Sequence, residues 1–126
     1  MISFIVPAYN EALLLGATLD ALHVAARAAE EDYEIVVVDD ASTDDTALVA
    51  TRHGARLISV AHRQIAATRN SGARAAQGEL LIFVDADTSV NETVIRGAID
   101  ALRDGAVGGG AAVAFEGAVP LYGRLL

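Results

Sequence analysis

Four short apolar runs, each followed by a stretch with helical spacing, constrain this chain more than any other feature of its 126 residues. The runs are 2–6 (ISFIV), 33–38 (YEIVVV), 56–60 (RLISV) and 79–84 (ELLIFV). Near-continuous hydrophobicity suits a strand buried on both faces, because a strand with one wet face alternates apolar and polar residues. Between the runs the period changes. Leu15, Leu19, Leu22 and Ala26 step by four, three and four, and Thr18, Asp20, His23, Arg27 and Glu30 fall mostly on the other side. This spacing predicts an amphipathic helix from Glu11 to about Ala29, opened by Asn10 as its cap. Thr43 or Asp44 is placed to cap a second helix over 45–53 that Gly54 stops. Small residues predict a third helix over 63–76, ending near Gly78. Asn91 caps a fourth over 92–103, stopped by Gly105. Pro7 is expected to end the first strand, since proline cannot donate to a ladder, and a further strand over 107–115 is weakened by its glycines.

Strands alternating with helices predict an α/β fold, a Rossmann-like three-layer αβα sandwich with a mostly parallel sheet and right-handed crossovers. The length fits one domain over 1–126. Hydrophobic residues make up 53% of the chain but aromatics only 5%, so Ala, Val, Leu and Ile must form the core. The net charge of −8 argues against a nucleic-acid partner, which needs a basic face. Cysteine is absent, so disulfides and thiolate-bound metals are excluded, and the composition suits a reducing cytoplasm. No apolar run approaches the ~18 residues of a membrane span. The first residues lack a basic leader and read as a strand rather than a signal peptide.

In an open α/β sheet, ligands bind beyond the carboxyl ends of the strands. Three polar clusters fall at such ends: Pro7-Ala8-Tyr9-Asn10-Glu11, Asp39-Asp40 and Asp85-Ala86-Asp87. Asp85 and Asp87 are alternate residues of an extended chain, so their carboxylates can converge. A shared Mg²⁺ or Mn²⁺ would remove their repulsion and hold phosphate oxygens in its open positions. The plain alternative is a turn with two solvated acids. Asp39 and Asp40 face opposite sides, so one is expected to meet a ligand, accepting a hydrogen bond from a base N–H, while the other caps the loop that follows. Tyr9 offers a ring face to a base, or is a half-buried core tyrosine. Glu11 could equally be a first-turn acid favoured by the helix dipole. Arg69 could neutralise diphosphate charge or pair with a surface acid. His23, His53 and His62 lack metal-ligand spacing and read as surface residues. No phosphate loop or dinucleotide fingerprint is present.

Four segments in register resemble the family 2 glycosyltransferases of the GT-A fold. They are residues 4–11 (FIVPAYNE), 36–46 (VVVDDASTDDT), 69–78 (RNSGARAAQG) and 83–87 (FVDAD). The resemblance implies a UDP- or GDP-sugar donor with Pro7, Ala8, Tyr9 and Glu11 lining the nucleoside site. It favours Asp40 as the base-reading acid with Val38 beside it. It implies that Asp85 approaches ribose and metal, with Ala86 between it and Asp87, the principal ligand of Mn²⁺ or Mg²⁺, and that Arg69 supports the diphosphate. The implied reaction is an inverting transfer of sugar to an acceptor hydroxyl, on a saccharide or a lipid-linked molecule. The expected location is cytoplasmic, or peripheral to the inner face of a membrane.

The chain departs from the family in having His62-Arg63-Gln64 where Asn-x-Gly is common. The family's acceptor site and carboxylate base lie in a continuation past the point matching Leu126. No residue of 88–126 is assigned as that base, and Glu116 is a poor candidate. The expectation is therefore a donor-binding half, truncated or completed by another chain, whose exposed sheet edge would favour a homo-oligomer. Two alternatives are a non-catalytic nucleotide-binding module and a phosphoacceptor signalling domain. The latter needs a lysine that this chain does not contain.

Overall fold

The computed structural model describes residues 1–87 and 91–104, together with the backbone of Ala112–Val113 and Leu121–Arg124. The element order is β1 (Ile2–Ala8), α1 (Ala12–Ala28), β2 (Tyr33–Asp40), α2 (Thr46–Arg52), β3 (Arg56–Val60), α3 (Ile65–Ala75), β4 (Leu80–Phe83), α4 (Glu92–Arg103), β5 (Ala112–Val113) and β6 (Leu121–Arg124). The strands lie in the order β3-β2-β1-β4-β6-β5. The first four are parallel, β6 runs antiparallel to β4, and β5 pairs antiparallel with β6.

Alternation along β1 and β2 explains the layers. Phe4, Val6, Ile35 and Val37 point to one face and pack with Leu15, Leu19 and Leu22 of α1, Ala50 of α2 and Ile95, Ile99 and Leu102 of α4. Ile5, Val36 and Val38 point to the other, where Ala73 of α3 packs. Both faces are buried, which is why the strands read as unbroken apolar runs. Gly72 lets α3 approach the sheet closely: a Cβ there would run into Ile5 and lie 2.8 Å from Val38 Cγ2.

Several sequence expectations change. β1 runs through Pro7 to Ala8. Pairing with β4 stops at Ile5↔Phe83, and Ile5 O accepts from Val84 N at 2.9 Å. Pro7 faces that same side two residues later, past the paired segment, so its missing N–H breaks no β1–β4 ladder bond. Asn10 does not cap α1; it takes φ 52, while Glu11 occupies the cap position without a side-chain hydrogen bond. Asn91 does cap α4, accepting from Val94 N at 2.9 Å. Thr18 is buried rather than exposed. His23 is a half-buried link, with Nδ1 2.6 Å from Tyr33 Oη and Nε2 2.7 Å from the His53 carbonyl. His53 Nδ1 lies 2.8 Å from Asp20 Oδ1. Of the strand expected over 107–115, Ala112–Val113 is described, and β6 was not expected at all. Gly105 and Glu116 lie outside the described residues. No described helix is long and apolar enough to cross a membrane.

Candidate active site

The sheet order reverses direction at β1, which has β2 on one side and β4 on the other. A crevice opens beyond the carboxyl ends at such a switch point. A cavity of ≈ 390 Å³ lies there, lined by Pro7, Ala8, Tyr9, Glu11, Asp40, Arg63, Gln64, Ile65, Thr68, Asp85, Ala86 and Asp87. Its volume falls at the lower end of small-molecule sites. The ends of β1, β2 and β4 therefore meet in one space, as the three polar clusters require. Val38 and Arg69 stand outside the lining: Val38 is fully buried against α3, and Arg69 reaches the site through Asp85.

The loops after β1 and β2 are stapled together. Asn10 N donates to Ser42 Oγ at 2.9 Å, and Asn10 Oδ1 accepts from Thr43 N at 2.8 Å. Glu11 N donates to Thr46 Oγ1 at 2.9 Å and Ala12 N to Asp44 Oδ2 at 3.2 Å. The N–H groups of Glu11 and Ala12, at the start of α1, are thus satisfied from a segment more than thirty residues away. Asp44 Oδ1 also accepts from Thr46 N at 3.0 Å, which serves the start of α2. These bonds hold Asp44 below the usual carboxylate range, the Thr46 hydroxyl contributing most.

The two acids of the pair diverge as alternation demands. Asp39 Oδ1 accepts from Ser42 N at 3.1 Å and fixes its own loop. Asp40 Oδ1 accepts from His62 N at 2.8 Å and Arg63 N at 2.9 Å, and Oδ2 from the Thr68 hydroxyl at 3.1 Å. Burial alone would raise the Asp40 pKa, but the bonds from Arg63, Thr68, His62 and Gln64 together bring it below the ordinary value of 3.8. Asp40 therefore holds the turn into α3 and can reach a ligand only through the capacity left on Oδ2.

On the β4 side, the Thr18 hydroxyl donates to the Ala86 carbonyl at 3.0 Å, tying the Asp85-Ala86-Asp87 turn to α1. Arg69 Nη2 donates to Asp85 Oδ1 at 3.2 Å, and Arg69 Nε is buried with no hydrogen-bond partner among the described residues. Glu11 has its pKa raised, first by burial and then by the charges of Asp87 and Asp44. Four carboxylates, Glu11, Asp40, Asp85 and Asp87, thus share the cavity wall, and the charge of Asp87 bears on Glu11. No group of three or more His, Cys, Asp or Glu is gathered tightly enough to hold a metal among the described residues. The donor set nevertheless fits a hard divalent cation in kind, needing oxygens from a ligand to complete its shell.

Backbone strain gathers on the same rim. Asn10 (φ 52), Ala41 (φ 57) and Arg63 (φ 51) follow β1, β2 and β3, and each takes the left-handed conformation that disfavours a side chain. Sequence reasoning missed Arg63, Gln64, Ile65 and Thr68 as cavity residues. The departure at 62–64 was the one available signal, because Gln64 stands where glycine is common and Arg63 beside it takes the left-handed conformation.

The layers, the sheet order and the strand-end site are those of a GT-A-type α/β fold. Comparison with known proteins agrees: the model of Glycosyl transferase family 2 matches residues 3–124, and the chain belongs to that family. A validoxylamine A glucosyltransferase of Streptomyces hygroscopicus subsp. jinggangensis is 41% identical over 91 residues, covering 68% of this chain and 21% of the relative. A poly(ribitol-phosphate) beta-glucosyltransferase of Bacillus spizizenii is 34% identical over 103 residues, covering 75% and 16% respectively. Among solved structures, a mannosyltransferase from Pyrobaculum calidifontis in complex with GDP-Man and Mn²⁺ aligns with TM-score 0.69 and 33% identity, over 85% of this chain and 33% of that one. The TarS protein of S. aureus in complex with UDP aligns with TM-score 0.66 and 27% identity, over 82% and 32%. The chain thus spans a fraction of the length of each of these relatives.

Proposed function

We propose that this chain binds a nucleotide-diphospho-sugar together with Mn²⁺ or Mg²⁺, and serves the inverting transfer of the sugar to an acceptor hydroxyl. The observation that carries this reading is the single cavity lined by Tyr9, Asp40 and Asp87, from three different strand ends. Tyr9 offers its ring to the base, and the rest of the β1 end, Pro7, Ala8 and Glu11, walls the nucleoside. Asp87, with Asp85, would hold the cation, oxygens of the ligand completing its shell, and Arg69 orients Asp85 through their ion pair. A divalent cation bound there would stabilise the leaving diphosphate as its charge develops. Relatives bound to UDP or to GDP-Man with Mn²⁺ support the ligand class.

Calorimetric titration with UDP and GDP, with and without Mn²⁺, tests the reading. Tight binding of one nucleotide that depends on Mn²⁺ is expected, and Asp87→Ala should remove the metal-dependent part while far-UV circular dichroism stays unchanged. Wild-type affinity in Asp87→Ala would take that residue out of the site.

A further inference from the structure

Tyr9 and Arg63 both line the cavity, and they touch. The guanidinium carbon of Arg63 lies 4.0 Å from the centroid of the Tyr9 ring, the distance of a cation stacked on a ring face. A ring face that carries a guanidinium cannot carry a base at the same time. Arg63 is fixed there from its backbone. Its φ of 51 turns the chain sharply before α3, and its N–H is bound to Asp40 Oδ1 at 2.9 Å. The side chain itself is exposed and has no other hydrogen-bond or ion-pair partner among the described residues. Charge adds the second half of the argument. The cavity lining holds four carboxylates, Glu11, Asp40, Asp85 and Asp87, and Arg63 is the one cationic side chain among them. An incoming diphosphate would meet a wall of its own sign, relieved by a bound cation and by Arg63.

Resting on the donor-site reading above, we propose that Arg63 is a displaceable plug that covers Tyr9 before nucleotide binds, then leaves the ring and pairs with the diphosphate. The two halves of the exchange have opposite signs. A nucleoside must displace the guanidinium and gains nothing from it. A nucleoside diphosphate displaces it and recovers a charge-assisted contact.

Arg63→Gly removes the side chain while suiting the left-handed backbone, so the turn held by Asp40 is kept. Uridine, guanosine, UDP and GDP, each with Mn²⁺, are titrated into wild type and variant, the nucleosides by ligand-observed NMR and the diphosphates by calorimetry. For the preferred base, Arg63→Gly should bind the nucleoside about two- to five-fold more tightly, as release of an exposed cation–π contact implies. It should bind the diphosphate roughly ten-fold or more weakly, as loss of a charged hydrogen bond implies. Arg63→Lys, which keeps the charge, should retain most of the diphosphate affinity. A distorted loop would move both ligands the same way. A shift of the same sign for nucleoside and diphosphate, or no shift for either, overturns the proposal. Failure of wild type to bind UDP or GDP at all overturns the donor-site reading itself, a result visible before any variant is made.

Discussion

Asp40 is 6% exposed, and its carboxylate faces donors from the turn at 62–64 and from Thr68. Removing it strands two backbone N–H groups, while the Thr68 hydroxyl keeps the Gln64 carbonyl at 2.9 Å, and an unsatisfied buried donor costs about 1–3 kcal/mol. Asp40→Ala should therefore lower stability by a few kcal/mol, on the order of 2–4 in total when the partners relax toward water, read as a shift of the urea midpoint. Asp40→Asn keeps one oxygen and should cost less. The pH dependence has a definite sign. The folded pKa lies below the ordinary 3.8, so the stabilisation is whole above 3.8 and is lost as pH falls through the folded value. Asp40→Asn should flatten that acid limb; a limb as steep as that of wild type would show that the charge is not what holds the turn. This role was only half legible in the sequence. Alternation says that Asp39 and Asp40 diverge, but the donors that meet Asp40 lie 22 to 28 residues away, and no local pattern encodes them.

The helices and strands were far easier to read than their caps. Burial on both faces leaves long apolar runs, and the switch to helical spacing marks α1 to α4 within a few residues. What failed was chemistry supplied from elsewhere in the chain. α1 lacks a cap of its own because Thr46 and Asp44 satisfy Glu11 N and Ala12 N, and this frees Asn10 to take the strained turn. Thr18 breaks the polar stripe of α1 because it holds the Ala86 carbonyl under the site. β6 pairs antiparallel at an edge, where neither a long apolar run nor a following helix announces it. Two glycines test how an element's seating governs the site. Gly72 is pressed against Ile5 and Val38, so Gly72→Ala should lift α3 from the sheet and cost about 1–3 kcal/mol, the usual penalty of overpacking. Thr68, Arg69 and the turn at 62–64 would move with it, so nucleotide affinity should fall too. Gly97 sits on the exposed side of α4 with nothing within 4 Å, and Gly97→Ala should instead gain about 0.5–1 kcal/mol. Urea denaturation of the two variants should give opposite signs; equal signs would mean that α3 has room to shift.

Across the whole molecule, 17 acidic residues face nine basic ones, and four acids against one arginine line the cavity where three strand ends converge. Carboxylates held together against their own repulsion destabilise the fold that positions them, a trade common at functional sites. Glu11 registers it directly. Its folded pKa is raised above 4.5 by burial and by Asp87 and Asp44, so stability is lost as pH rises through 4.5 to the folded value, and the deficit persists at neutral pH. Glu11→Gln should then raise Tm at pH 7 and give no gain below pH 4.5. Ligands should reverse the same deficit. A nucleotide and Mn²⁺ bound together at a hundredfold excess over Kd would add ~2.7 kcal/mol, on the order of 10 °C in Tm for a domain of this size. Neither alone should do as much, since the carboxylates leave the cation's shell incomplete and the nucleotide without it meets repulsion. Glu11→Gln should therefore start higher and gain less from the pair than wild type does. A variant that starts no higher, or gains as much, would separate Glu11 from the repulsion of the acidic rim.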